Sequence, residues 1–264
     1  MVGSRGAAAP RATLRRVDRH WADDYYGDLY YESVADLLTA RLSGFEAELI
    51  RDALELRPGD RCLDLACGHG RHARFLSPEV ALLAGLDRSD PYLRRARHSG
   101  AALVQGDVRA PPFRPGRLDA VYSWYSSLFM FDDEENLRCL AGVVALLKPG
   151  GRLLVHHDNP ARLARERTAH AEWDLAAGGR VVEDSRFDAA TGRDVCTRRV
   201  IRPDGAVLAG TAELRYYTPE EWRALAPRVG LELLRITSTW QASRPLEHVD
   251  EDAPDLIALG RRTP

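Results

Sequence analysis

Along this 264-residue chain, short apolar runs alternate with segments of helical spacing. Cys62-Leu63-Asp64-Leu65-Ala66 has strand length, is mostly apolar and closes on small residues, as a strand buried on both faces does. Gly68 and Gly70 stop it, and Arg71 to Leu76 resumes with helical spacing. Further strand-like runs follow at Val80 to Leu86, Ala101 to Gln105, Leu118 to Tyr122 and Arg152 to His157. Between them, Ser89 caps a helix with Pro91 in its first turn, running to about Ser99. The four acids from Asp132 to Glu135 open a second helix, ending near Leu147, where the macrodipole favours negative charge. They read as a helix terminus and not as a metal site. Alternation of this kind predicts an α/β fold with a parallel, doubly wound sheet.

The flanks differ from this pattern. Glu32 to Leu56 carries apolar residues at helical spacing until Pro58-Gly59 breaks it, so residues 18–57 are expected to form an N-terminal helical cap. The stretch from Val17 to Tyr31 is aromatic and acidic. It either anchors the first helix on the sheet or closes over a ligand. Past Pro160 the signals become those of hairpins. Gly179 to Phe187, Val195 to Ile201 and Ala206 to Tyr217 read as strands joined by turns at Ala189–Gly192 and Arg202–Gly205. This antiparallel β insertion, at about 178–217, serves as a wall of an acceptor pocket or as the surface of a homodimer; the two roles are compatible. Thr218-Pro-Glu-Glu221 is a capping box for a helix ending at Gly230, and Leu231 to Trp240 and Leu256 to Gly260 supply the last strands.

Composition narrows the chemistry. A formal net charge of −2 offers no electrostatic footprint for nucleic acid. The four cysteines have no zinc-ligand spacing and nothing implies disulfides, so no metal and a cytoplasmic location are expected. No apolar run approaches the ~20 residues that span a bilayer, so no membrane partner is expected. Residues 1–17 hold four arginines and no acid; a disordered arm is expected there, and a transit peptide shares that composition. The remainder, 18–264, reads as one domain with an elaboration.

Three strands that each close on an acid, at Asp64, Asp87 and Asp107, beside a glycine turn with free amides, point to one crevice that holds a nucleoside. Asp64-Leu-Ala-Cys-Gly-His-Gly, Gly85-Leu-Asp87, Gly106-Asp107-Val108, Leu118-Asp-Ala-Val-Tyr122 and Leu147-Lys-Pro-Gly-Gly151 together resemble the ordered motifs of class I S-adenosylmethionine-dependent methyltransferases. The likeness is to bacterial small-molecule enzymes with a β-rich insertion, and it runs from about Pro58 to the C-terminus. It implies a Rossmann-like seven-stranded sheet of order 3-2-1-4-5-7-6 with the insertion after the fifth strand. It also implies S-adenosyl-L-methionine as cofactor: the turn with Asp64, Ala66, Gly68 and Gly70 at the methionine part, Asp87 at the ribose, Asp107 and the Val108 amide at the adenine edge. Arg88 departs from the apolar residue common after the ribose acid, and either stacks on the adenine or points to solvent. Arg71 either pairs with the cofactor carboxylate or lies on the surface. Tyr30, with Tyr26 behind it, is the tyrosine expected to close over the cofactor.

Methyl transfer to an N, O or C atom of a small metabolite needs an acceptor in line with the methyl group, and the residues framing it belong at the ends of the fourth and fifth strands. Those are Ser123-Trp124-Tyr125-Ser126-Ser127, with Ser123 counted among the cofactor ligands and Tyr125 among the catalytic candidates, and His156-His157. Strand alternation turns the two histidines to opposite faces. His157, nearest the crevice end, is favoured as base and His156 is the alternative, with a structural, hydrogen-bonded histidine equally open for either. Trp124, Tyr125, Trp173, Tyr216, Tyr217 and Trp240 either line the acceptor pocket or pack in the core. Two rivals stand beside methyl transfer: aminocarboxypropyl transfer or cyclisation from the same cofactor, and an NAD-dependent oxidoreductase, against which Asp64, Asp107 and Lys148-Pro-Gly-Gly count together.

Overall fold

The structure, a computed structural model, describes residues 20–239 and 250–264. The expected arm at 1–17, the first two residues of the cap and Trp240 lie outside the described residues. In chain order the elements are α1 (Trp21–Tyr25), α2 (Asp28–Val34), α3 (Ala40–Leu54), β1 (Arg61–Leu65), α4 (Ala73–Leu76), β2 (Leu82–Asp87), α5 (Asp90–Ala96), β3 (Ala102–Gln105), β4 (Leu118–Ser123), α6 (Asp133–Leu146) and β5 (Leu147–Asp158). There follow α7 (Pro160–Glu166), β6 (His170–Asp174), β7 (Arg180–Asp188), β8 (Arg193–Ile201), β9 (Val207–Arg215), α8 (Pro219–Arg228), β10 (Leu231–Thr237) and β11 (Asp255–Arg262).

The main sheet has seven strands in the order β10-β11-β5-β4-β1-β2-β3. Numbered within that sheet alone, this is 3-2-1-4-5-7-6 read from the other edge, with β1 to β5 parallel and β11 antiparallel to both of its neighbours. Both faces are covered, which explains why β1 is buried from Cys62 to Leu65. On one face Leu63, Leu65, Val121 and Leu153 pack with Leu140, Val143 and Trp222 of α6 and α8. On the other, Cys62, Tyr122 and Leu154 pack with Ile50 and Leu54 of α3 and Leu76 of α4. Asp64 alternates with Leu63 and Leu65 and so falls on the α3 side. The helix capped by Asp132, the capping box at Thr218 and the cap at Ser89 form as the sequence predicts.

Three expectations are revised. The long helix of Glu32 to Leu56 is two helices: Thr39 takes the amide of Leu42 on its side chain and starts α3 afresh. The insertion has four antiparallel strands, not three, because the short and largely polar run β6 adds to the edge of β7. The aromatic segment anchors on this second sheet and not on the main one: Tyr25 and Leu29 pack against Val181, Val200 and Ala212. The cap is therefore fastened to the insertion on one side and faces the carboxyl ends of the main strands on the other.

Candidate active site

A cleft opens where the ends of β1, β2 and β4 meet α1 and α2. Its floor is the glycine turn. Gly68 and Gly70 have φ of +53° and +73°, and Ala66, a residue with a Cβ, is held at +60°. Left-handed backbone at a non-glycine position is strain that surrounding structure must impose. Part of that imposition is visible at Asp87, whose two carboxylate oxygens accept the amides of Gly68 at 2.8 Å and Ser89 at 2.7 Å. Close approach also requires glycine at Gly85, where a Cβ would come within 2.9 Å of the Cys67 sulfur. Gly70 stands behind the wall, its Cα side against Ala96 and Ser99, and shapes the turn without lining the cleft.

Deeper in the cleft Asp64 is 3% exposed, and burial pushes its carboxyl up to about 7. Arg71 lies beside it. One guanidinium nitrogen, Nη1, donates to Glu46 and to the Ser43 hydroxyl at 3.3 Å; the other, Nη2, is buried with no partner. Glu46 belongs to α3 and also receives His72 Nε2 at 3.0 Å, the Tyr125 hydroxyl at 3.0 Å and Trp124 Nε1 at 3.3 Å. Burial would raise its pKa, but His72 and Arg71 outweigh that and hold it at about 2. His72, itself buried, is lowered to about 4 and donates as the neutral ring.

At the opposite end Asp107 is closed on arginines. Its Oδ1 accepts the Arg109 amide and Nε, and its Oδ2 accepts Arg88 Nη1 at 2.6 Å and Arg109 Nη2 at 2.7 Å. Burial opposes ionisation, yet these donors keep the carboxyl below the ordinary range. Arg88 points neither to solvent nor freely into the cleft: it bridges Asp107 to Asp23 of α1. Phe131 lies beneath the Arg109 guanidinium, 5.1 Å away, and 5.0 Å from the His20 ring. Val108, Tyr26 and Tyr30 line the cleft, as do Leu38, Tyr125, Ser127 and Met130. Tyr125 and Ser126 carry φ of +56° and +57°, a second strained turn at the end of β4.

The structure does not bring the two favoured histidines into this cleft. His157 is fully buried on the α8 face; its Nδ1 donates to the Asp158 carbonyl at 2.8 Å and its Nε2 accepts the Trp222 indole at 2.9 Å. Burial lowers it to about 4, so it is a neutral, satisfied core ring. His156 faces the other way, stacked on Trp124 with centroids 4.3 Å apart, its Nε2 3.2 Å from Asp255 and its Nδ1 accepting the Tyr125 amide. Both nitrogens of both rings are engaged, which corrects their expected role as base. Ser123 is likewise enclosed, its hydroxyl without a partner and away from the cleft wall. Tyr216 and Tyr217 pack with Phe129, His157 and Trp222 in the core, and Trp173 lies on the second sheet over Arg198. Cleft residues not singled out from sequence include Leu38, His69, His72, Tyr92, Met130 and Phe131, while His20 and Asp23 belong to the aromatic, acidic segment whose functional alternative was closure over a ligand. His69 is the imidazole of the wall that makes no hydrogen bond, and burial lowers it to about 4. Among the described residues no cluster of His, Cys, Asp and Glu can hold a metal, and no helix is long and apolar enough to cross a membrane.

Residues 62–151 match the family described as methyltransferase domain. The demethylmenaquinone methyltransferase of Corynebacterium kroppenstedtii is 35% identical over 147 residues, 55% of this chain and 62% of that protein. The dTDP-3-amino-3,4,6-trideoxy-alpha-D-glucopyranose N,N-dimethyltransferase of Streptomyces venezuelae is 36% identical over 138 residues, 51% of this chain and 55% of that protein. The chain thus spans somewhat over half the length of these curated relatives. Among solved structures, the CcbJ methyltransferase of Streptomyces caelestis superposes with a TM-score of 0.73 at 22% identity, over 92% of this chain and 99% of that one, a likeness of fold.

Proposed function

We propose that this chain, which carries a methyltransferase domain of the class I, S-adenosylmethionine-dependent kind, methylates an N, O or C atom of a small ring-bearing metabolite. The observation that carries the reading is the polar end of the cleft, where the unpartnered Nη2 of buried Arg71 stands beside the protonatable Asp64. Arg71 Nη2, a buried donor without a partner, and the Asp64 carboxyl at the same end of the cleft suit the carboxylate and ammonium of an amino-acid zwitterion. Each Asp87 oxygen accepts one backbone amide and keeps a second lone pair for the ribose hydroxyls. Asp107 has two donors on each oxygen, so the adenine would meet the Val108 backbone, the Arg88 guanidinium and the Phe131 ring in place of a free carboxylate.

When bound, the cofactor supplies a methyl group activated by its positively charged sulfur. The chain's own contribution is placement. Tyr26, Tyr30, Tyr125, Leu38 and Met130 form an apolar and aromatic wall that excludes water and orients the acceptor, and such orientation alone can supply much of the rate. His69, its pKa lowered to about 4 by burial, is neutral at pH 7 and can accept a hydrogen bond from an acceptor amine or hydroxyl and so help orient it. Quinones and amino sugars, the compounds named for the two relatives, are both ring-bearing and both enter the acceptor panel.

The test has two stages. S-adenosylhomocysteine should raise the melting temperature and NAD should not; absence of stabilisation by the former ends the reading. Incubation with methyl-labelled cofactor and the panel should then move label to an acceptor. Movement of the aminobutyrate carbon instead would identify aminocarboxypropyl transfer.

A further inference from the structure

Glu46 is not part of the cleft wall, yet it holds the residues that are. Its Oε1 accepts from Trp124 and Tyr125 at the end of β4, and its Oε2 accepts from Arg71 and His72 after the glycine turn. Two donors on each oxygen use every lone pair the carboxylate has, so Glu46 cannot itself receive a ligand. At 3% exposure it is a buried charge, which persists only when paired and hydrogen-bonded throughout. Within the cluster Arg71 Nη2 is buried without a partner, and Arg71 is also a residue of the cleft wall. Leaving a buried guanidinium N–H unsatisfied is costly, and a cluster serving packing alone would have given it an acceptor.

We infer that Glu46 is a positioning residue: by gripping Nη1 of Arg71 it turns Nη2 toward the carboxylate of the cofactor's amino-acid end. The inference rests on the cofactor reading above. Ser43, one turn before Glu46 on α3, touches the same Nη1, and the Tyr125 ring stacks 4.8 Å from the guanidinium carbon. The arginine is thus held at Nη1 by α3 and across its face by Tyr125, and it lines the cleft. Because Glu46 comes from the helical cap, the amino-acid subsite of the methyltransferase domain is completed by a segment that precedes it in sequence. The residues matched to the domain family, 62–151, do not contain it.

Two probes separate positioning from general integrity. S-adenosylhomocysteine carries the amino-acid end; 5′-methylthioadenosine has the same nucleoside and sulfur without it. Calorimetry on the full chain should show Glu46→Gln weakening S-adenosylhomocysteine by roughly 10- to 100-fold, the range for losing a hydrogen bond to a charged group, while methylthioadenosine changes by less than about twofold. Arg71→Met should reproduce that selectivity, and the double variant should bind no worse than Arg71→Met. Glu46→Asp keeps the charge but withdraws it by one methylene; it should show the same selectivity and serves if the Gln variant does not fold. Parallel loss of both compounds, or an unchanged affinity for S-adenosylhomocysteine, overturns the inference. Failure of the unsubstituted protein to bind either compound overturns the cofactor reading itself, and is thereby distinguished.

Discussion

Replacing Asp64 by Asn should make the ligand-free protein more stable at pH 8 while damaging its binding site. Burial raises the carboxyl from 3.8 to about 7. Its folded pKa lies above the unfolded one, so the folded state binds the proton more tightly. Its contribution is fully favourable below about pH 4 and is lost as pH rises through 7. About three pKa units correspond to about 4 kcal/mol once both states are ionised. The neutral Asn occupies the same volume without that cost. Wild type and Asp64→Asn should therefore differ little near pH 4, and the gap should widen by about 2–3 kcal/mol between pH 5 and pH 8 in favour of the variant. His69, His72 and His157, all lowered to about 4, act in the opposite sense. Their stabilisation is present above pH 6.5 and fades as pH falls, in both proteins alike, so it cancels in the difference. Urea unfolding of both proteins at pH 5, 6.5 and 8, compared at equal m values, measures the gap. A gap that does not grow with pH refutes the electrostatic account. Affinity for S-adenosylhomocysteine should move the other way, falling at least about tenfold in the variant because a neutral amide cannot pair with an ammonium.

Three further outcomes follow from the same geometry. Gly85→Ala drives a Cβ against the Cys67 sulfur and should cost about 1–3 kcal/mol; adding Cys67→Ala should recover part of it, and strictly additive losses in thermal melts would disprove the contact. His157→Phe removes the acceptor of the Trp222 indole and should cost about 1–3 kcal/mol, yet leave the pH dependence of methyl transfer unchanged; a lost limb in the pH–rate profile would restore His157 as base. Asp87→Asn weakens the grip on the Gly68 and Ser89 amides and, under the proposed ribose role, on the ribose as well, so S-adenosylhomocysteine should bind roughly 10- to 100-fold more weakly by calorimetry, and an affinity within about twofold of wild type would exclude that role.

The sequence was legible wherever local chemistry has one reading. Glycines between an apolar run and a helix, acids closing successive strands, and Ser89, Asp132 and Thr218 as caps each declare themselves within a few residues, because capping and left-handed turns are satisfied locally. The break at Thr39 carried a signal of the same kind, but the apolar periodicity across it suggested continuity. The polar strand β6 had almost no signal, since its pairing energy comes from the edge of β7 and not from its own side chains. The histidines show the sharper limit. Alternation correctly put His156 and His157 on opposite faces; which face meets the cleft, and whether each ring is already satisfied, depended on Trp222 and Asp255, which lie far along the chain.

By itself, then, the sequence determined the alternation of strand and helix, the glycine turn and the three acids, because each follows from patterns within one βα unit, while the strand order was implied by the family resemblance alone. The tertiary structure decided which charges are spent on one another. Asp107 is consumed by Arg88 and Arg109, Arg88 is shared with Asp23 of the cap, and Glu46, an acid among helical spacing like any other, becomes the buried anchor of Arg71. Desolvation and hydrogen-bond satisfaction are properties of what surrounds a group in space, and no spacing along a chain records them.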